Sequence, residues 1–356
     1  MILSSHSAPP VRTRHGRWMQ RAYEQGLVSV IIPTYNRAGL LRETLASIQN
    51  QHYRPVEVLV VDDGSTDETQ EVIQDASRAS DSRLRIRNLR QKHTGNISAG
   101  RNLGSIQSRG EYLQYLDSDD LLHPQKFAHE VPLLTNQDRL DFVWSDTARF
   151  QGDDPERGVC ITSPDCRDLL PRYILMPIWH TCGPLYRRTT CVDLGPWNES
   201  LAVAEDWEYG VRLASSKPQR QYIPKILSFY RMHGSGQTRD HYKTWRVVKP
   251  DYDAFRAAEK MLRAKGRLRE PGVRAALATR YLEIAWRAGE LGRDDTSQAV
   301  WRKAHDLAAA GPSQWRVTAF ESLWTLLGLR PASLIFRKLH NAHYKAWIAW
   351  RQYTYS

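Results

Sequence analysis

Between residues 28 and 122, short apolar runs rich in β-branched residues alternate with segments of helical periodicity. This alternation constrains the fold more than any other feature of the chain. The run VSVIIPT, residues 28–34, has the composition of a strand buried on both faces, and its proline falls where such a strand ends. LLRETLASIQNQ follows, with Leu40, Leu41, Leu45 and Ile48 at the spacing of one helix face. PVEVLVVDDGSTDETQEVI repeats the unit: a strand over 56–61, an acidic glycine turn, and a helix from about Asp67 with Ser65 or Thr66 as its cap. RLRIRNL, residues 83–89, reads as a third strand, SAGRNLGSIQS as a helix and EYLQYLD as the next strand. The expected fold class is α/β, a mostly parallel sheet with helices on both faces, followed by a mainly helical C-terminal region.

Open sheets of this kind bind ligands beyond the carboxyl ends of their strands. Three polar clusters fall at those ends: Thr34-Tyr35-Asn36-Arg37, Asp62-Asp63-Gly64-Ser65, and Asp117 to Asp120. Carboxylates crowded like the last group are costly unless protonated, hydrogen-bonded or countered by a cation. A D-x-D of Asp117 and Asp119 beside Asp120 suits Mg2+ or Mn2+ held against a diphosphate; the plainer reading is an acidic turn entering a helix near Pro124. Asp63 offers acceptor atoms to a base or ribose, or simply closes a turn. Tyr35 is either a stacking surface for a base or packing. Later in the chain, CGPLYRRTTCVDLGPWNESLAVAEDWEYGVRLA reads as a strand or loop, a helix, a Gly-Pro-Trp turn and a second helix opening near Glu205.

The segments VSVIIPTYNRAGLLRETLASIQNQ, EVLVVDDGSTDET, TGNISAGRNLGSIQSRGEYLQYLDSDD and GPWNESLAVAEDWEYGVRLA occur in that order, and as a set they resemble the family 2 glycosyltransferases of GT-A fold. The resemblance runs from residue 28 to about 235. It implies an inverting transfer from a nucleotide-diphospho-sugar, UDP-linked before the alternatives, to a hydroxyl of a glycan or lipid-linked acceptor. Pro33, Thr34, Tyr35 and Arg37 would then border the nucleotide. Asp63 would take the base with Asp62 in support, and Arg101 and Asn102 would lie near the ribose or diphosphate. Asp117 and Asp119 match the D-x-D. Asp119 would be the direct ligand of Mn2+ or Mg2+, with Asp120 an alternative ligand and His233 completing the metal site. Arg231 would offset phosphate charge. Asp206 occupies the position of the general base that deprotonates the acceptor hydroxyl, with Glu205 and Trp207 near acceptor or sugar. On local grounds alone, Glu205 and Asp206 equally suit the first turn of a helix. Gly100 stands where the family usually has alanine.

The 356 residues allow roughly two domains, with 41% hydrophobic and 25% charged residues as in ordinary globular chains. The expected division is a basic arm over 1–27, a transferase domain over 28–240 and a helical region over 241–356. No apolar run reaches the roughly 18 residues of a membrane span, and residues 1–27 lack the apolar core of a secretory signal. Four cysteines without a C-x-x-C pair read as reduced thiols, so the expected location is the cytoplasm, extending to the inner membrane face. A net charge of +11 points to polyanionic partners. The Trp-, Arg- and Leu-rich end, residues 315–355, suits either packing on the domain or peripheral contact with an anionic membrane. No nucleic-acid module is recognisable. Two other functions fit less well. A haloacid-dehalogenase-like phosphatase carries its D-x-D on the first strand rather than the fourth, and a non-catalytic binding scaffold would have no need of both Asp119 and Asp206.

Overall fold

The computed structural model describes residues 18–19, 21–164, 167–233, 245–308 and 314–339. The described residues form two compact units. The first gathers the residues up to 164 with 179–199 and 218–233; the second gathers 167–178 and 200–217 with the residues from 245 onward. Residues 167–178 and 200–217, which sequence reading puts inside the transferase domain, thus cluster with the C-terminal helices.

The first unit is built on β1 (Glu24–Thr34), β2 (Val56–Asp62), β3 (Leu84–Arg90) and β4 (Gly110–Tyr115), interleaved with α1 (Ala38–Gln49), α2 (Thr69–Arg78) and α3 (Ile97–Gln107). Val28, Val30, Ile31 and Ile32 of β1 and Val58 to Val61 of β2 are buried, as strands covered on both faces must be. The remaining strands are β5 (Leu121–Leu122), β6 (Phe142–Gln151), β7 (Val159–Cys160), β8 (Pro184–Arg187) and β9 (Arg220–Met232). Together they make one sheet of order β3-β2-β1-β4-β8-β6-β9-β5, with β7 beside β6. The first four strands are parallel, as expected. Beyond β4 the sheet is mixed: β8 runs antiparallel to β4 and β6, β9 runs parallel to β6, and β5 runs antiparallel to β9.

Register fixes the geometry of the site. Thr34 pairs with Asp62 across β1 and β2, and the Leu116 N–H donates to the Ile31 carbonyl at 3.1 Å. The three polar clusters therefore emerge from adjacent strands at the same edge. One local expectation changes. Neither Ser65 nor Thr66 caps α2. The Ser65 hydroxyl instead accepts from the Asn36 N–H at 2.9 Å, and the Thr66 N–H donates to Asn36 Oδ1 at 2.7 Å. The turn after β2 is spent on joining the turn after β1, and Asp67 Oδ1 takes the Thr69 N–H at 3.1 Å.

The second unit is helical: α5 (Leu169–Leu175), α7 (Glu205–Ser215), α8 (Trp245–Ala264), α9 (Pro271–Glu290), α10 (Asp294–Ala308), α11 (Gln314–Leu327) and helical residues 329–339. α4 (Lys126–Asn136) and α6 (Arg188–Leu194) belong to the first. α9 is the core of the second unit, with Leu277, Tyr281, Ile284 and Ala285 buried. The buried Glu259 carboxylate accepts from the Tyr281 hydroxyl and the Lys303 ammonium, both at 2.6 Å. No helix among the described residues is long and apolar enough to cross a membrane.

Candidate active site

Each of the three aspartates after β4 meets its charge in a different way. Asp117 accepts from the buried Arg101 guanidinium at 2.7 Å. Burial pushes its carboxyl upward, but the charge and hydrogen bond of Arg101 outweigh that and hold it below the usual range. Arg101 is itself fixed, lying over the Trp197 ring at 4.4 Å. Asp120 is fully buried, and burial together with the charges of Asp119 and Asp117 raises its carboxyl well above the ordinary value. Asp119 is nearly buried as well, and it is met by two basic side chains. A single oxygen, Oδ2, receives both the Arg37 guanidinium at 2.6 Å and His233 Nε2 at 2.9 Å. One ion pair, one carboxyl whose burial disfavours its charged form and one doubly contacted carboxylate make the cluster tolerable.

The convergence on Asp119 Oδ2 tests whether a divalent metal fits. A carboxylate oxygen and an imidazole nitrogen lie side by side, and His233 Nδ1 is buried with no hydrogen-bond partner among the described residues. That donor pair fits a divalent ion, with Arg37 supplying positive charge to the same oxygen. Asp120 has partners of its own: its Oδ1 accepts the Arg231 N–H at 3.1 Å, and the residue is fully buried. Arg231 is a correction of a different sort. Instead of facing phosphate, its guanidinium is buried, donating to the Asp119 carbonyl at 3.1 Å and pairing with Glu43. It braces the end of β9, two residues before His233.

Asp63 is saturated with donors. It accepts from Gln91 Nε2 at 2.7 Å, the Thr94 hydroxyl at 2.9 Å and the Gly95 N–H at 2.9 Å. Partial burial works to raise its carboxyl, but the hydrogen bonds from Gln91, Gly95 and Thr94 prevail and lower it. Asp62 is buried behind it, accepting the Ser65 N–H at 2.8 Å and Gln70 Nε2 at 3.1 Å. Tyr35, 41% exposed, stacks on His93 with ring centroids 4.0 Å apart. Asn36 adopts a left-handed φ of 49°, a conformation that asparagine tolerates. Pro33 and Thr34 end β1, and the Thr34 carbonyl accepts the Asp63 N–H at 2.9 Å. Asn102 is fully engaged: it donates to the Glu199 carboxylate at 2.7 Å and the Trp197 carbonyl at 3.0 Å, and it accepts the Trp197 N–H at 2.8 Å.

In the second unit, Glu205 and Asp206 open α7, and Asp206 is exposed. Ala204, just before them, has φ 57°, a left-handed conformation that costs a residue with a Cβ about 1–2 kcal/mol. Trp207 does not present a sugar platform. It is 4% exposed, its indole N–H donates to the Ile174 carbonyl at 3.2 Å, and its ring packs on Phe255 at 4.8 Å.

Sequence reasoning missed His93, Gln91 and Thr94 around Asp63, and His180 and Cys182 around Asp120. No local motif marks them, because each meets its partner through strand adjacency rather than sequence spacing.

Residues 29–189 match the family model described as glycosyl transferase family 2. Those residues form a glycosyl transferase family 2 domain. An uncharacterized glycosyltransferase of Rickettsia conorii is 28% identical over 67% of this glycosyltransferase and 40% of its own length. A Campylobacter jejuni GalNAc(5)-diNAcBac-PP-undecaprenol beta-1,3-glucosyltransferase is 40% identical over 27% of this chain and 30% of its own. The chain spans 37–57% of the length of four rickettsial relatives. Among solved structures, residues 1–349 of Staphylococcus aureus TarS align with a TM-score of 0.57 at 19% identity, covering 87% of this chain and 91% of that one. A Pyrobaculum calidifontis mannosyltransferase, solved with GDP-Man and Mn2+, aligns with a TM-score of 0.52 at 20% identity and 92% coverage of both. These likenesses show the GT-A fold of the glycosyltransferase.

Proposed function

We propose that this glycosyltransferase moves a sugar, with inversion, from a nucleotide-diphospho-sugar to a hydroxyl of a glycan or lipid-linked acceptor. Asp119 and His233 would hold Mn2+ or Mg2+, and the base would be uracil before the alternatives. The observation that carries this reading is the convergence of Arg37 and His233 on one oxygen of Asp119, beside the polar ends of β1 and β2. The Mn2+ and GDP-Man of the Pyrobaculum neighbour support the metal and the donor class, and the undecaprenol-linked substrate in the name of the Campylobacter relative supports the acceptor class.

When bound, the divalent ion supplies charge stabilisation to the departing diphosphate. The chain's own residues do the rest. Arg37 adds positive charge at Asp119, and Tyr35 offers an exposed ring face to the base. Asp206 would take the proton of the acceptor hydroxyl as its oxygen bonds to the anomeric carbon, while the bond from that carbon to the diphosphate breaks and the nucleoside diphosphate leaves.

Titration calorimetry of UDP, GDP, dTDP and CDP, each with and without Mn2+, tests the site. One nucleotide should bind in a metal-dependent way to the wild type and lose that dependence in Asp119→Asn. Asp206→Asn should bind as wild type while transfer falls by about 100-fold or more. Wild-type transfer in Asp206→Asn would remove the base assignment, and binding unaffected by Asp119→Asn would remove the metal assignment.

A further inference from the structure

Asp120 has a second set of neighbours that the donor site does not use. It follows β4, while His180 and Cys182 precede β8, the strand paired with β4. Asp120 Oδ2 and His180 Nδ1 lie 3.8 Å apart, and His180 Nδ1 and Cys182 Sγ lie 3.8 Å apart. Ligating atoms of all three residues fall within 4.8 Å of one another. Around a tetrahedral zinc ion, with Zn–N about 2.0–2.1 Å and Zn–S about 2.3 Å, neighbouring donors are about 3.3–3.6 Å apart. Two of the three edges already stand within a few tenths of an ångström of that spacing.

A second observation points the same way. Asp120 and Cys182 are fully buried, and besides the Cys182 thiol no donor reaches Asp120 Oδ2 among the described residues. A buried carboxylate oxygen with so little to satisfy it is costly. The other oxygen is already engaged by the Arg231 N–H. His180 is partly exposed, and its ring is held by stacking on Tyr230 with centroids 4.0 Å apart. The cluster is thus aimed, preformed and open on the histidine side only.

We propose that Asp120, His180 and Cys182 form a three-donor site for a borderline-soft divalent cation, Zn2+ first, separate from the Mn2+ or Mg2+ position at Asp119 and His233. A thiolate and an imidazole select zinc over magnesium, and three protein donors leave one tetrahedral position for water. Because Asp120 adjoins Asp119 and binds the Arg231 N–H, the ion would tie the loop after β4 to the end of β9 that carries His233. A bare thiol-to-carboxyl hydrogen bond would fill the same contact without a cation, and the two cases differ in metal uptake.

The test uses the full chain, stripped with chelator and titrated with Co2+ in the absence of nucleotide. One equivalent should bind with a thiolate-to-cobalt charge-transfer band in the near ultraviolet, and Zn2+ should abolish that band. Cys182→Ser should lack the band. His180→Ala should weaken cobalt binding at least tenfold, and it carries the test if Cys182→Ser does not fold by circular dichroism. Asp119→Asn should keep the band, which makes the result independent of the donor site and of whether any nucleotide binds. A folded wild type without the band, or a band that persists in Cys182→Ser, overturns the proposal.

Discussion

At the scale of single residues, the chemistry of this site is decided by partners distant in sequence. Asp119 meets Arg37 and His233 across 82 and 114 residues, whereas Asp117 meets Arg101 across 16. The three polar clusters, two of them acidic, were legible because each falls at the end of a strand. Which carboxylate is ion-paired, buried or shared was not legible, because the answer lies in strand order. Asp63 shows the consequence. Its carboxylate gathers Gln91, Thr94 and Gly95, so it organises the segment after β3 whatever it does for a base. Asp63→Asn should cost about 1.5–3 kcal/mol at neutral pH, the range of hydrogen bonds to a charged group. The sign of the pH dependence follows from a folded pKa that is lowered. The wild-type advantage is full above the unfolded value of about 3.9 and is lost as pH falls through the depressed folded one. Urea denaturation of both proteins between pH 7 and pH 3 measures it. A difference that stays constant with pH would mean that the hydrogen bonds do not distinguish the charged form.

At the scale of elements, β1 to β4 and α1 to α3 were readable from periodicity and β-branched content, to within a few residues. β6 and β9 were not. β9, RQYIPKILSFYRM, carries Pro224 and polar residues through much of its length, and β6 places Ser145, Asp146 and Thr147 in buried positions. Neither shows the apolar pattern of a core strand, and β9 is the strand that leads to His233. The contact between α3 and the sheet explains two glycines. A Cβ on Gly104 would sit 2.5 Å from Ile31 Cγ2, inside any real contact distance, whereas one on Gly100 would sit 3.0 Å from Pro33 Cβ. Gly104→Ala should therefore destabilise by about 1–3 kcal/mol, as overpacking does. Gly100→Ala should come out near neutral, because a tight contact is offset by about 1 kcal/mol of helix propensity. Denaturant midpoints of the two variants check this. Equal effects would show that α3 is free to shift from the sheet.

At the scale of the whole molecule, the net charge of +11 and the composition of the last helices bear on where the enzyme works. Leu326 is 78% exposed, and Leu327 and Leu339 are exposed as well, among Arg330, Arg337 and Lys338. The expectation of membrane contact rests partly on residues 340–356, which lie outside the described residues. The described part already pairs apolar exposure with cationic side chains, the combination that an anionic lipid surface stabilises. Each basic residue near such a surface contributes about 1 kcal/mol, an effect that salt screens within about 10 Å at 0.1 M. The protein should therefore sediment with phosphatidylglycerol vesicles at low salt and much less with phosphatidylcholine vesicles, and raising KCl should release it. Replacing Leu326 and Leu339 by Glu should weaken that binding several-fold while metal-dependent nucleotide binding stays at the wild-type level. Retained vesicle binding in that variant would assign the attraction to charge alone. Equal binding to both lipids would remove electrostatic attraction as its source, and with it the proposed meeting of this transferase and a lipid-linked acceptor at an anionic surface.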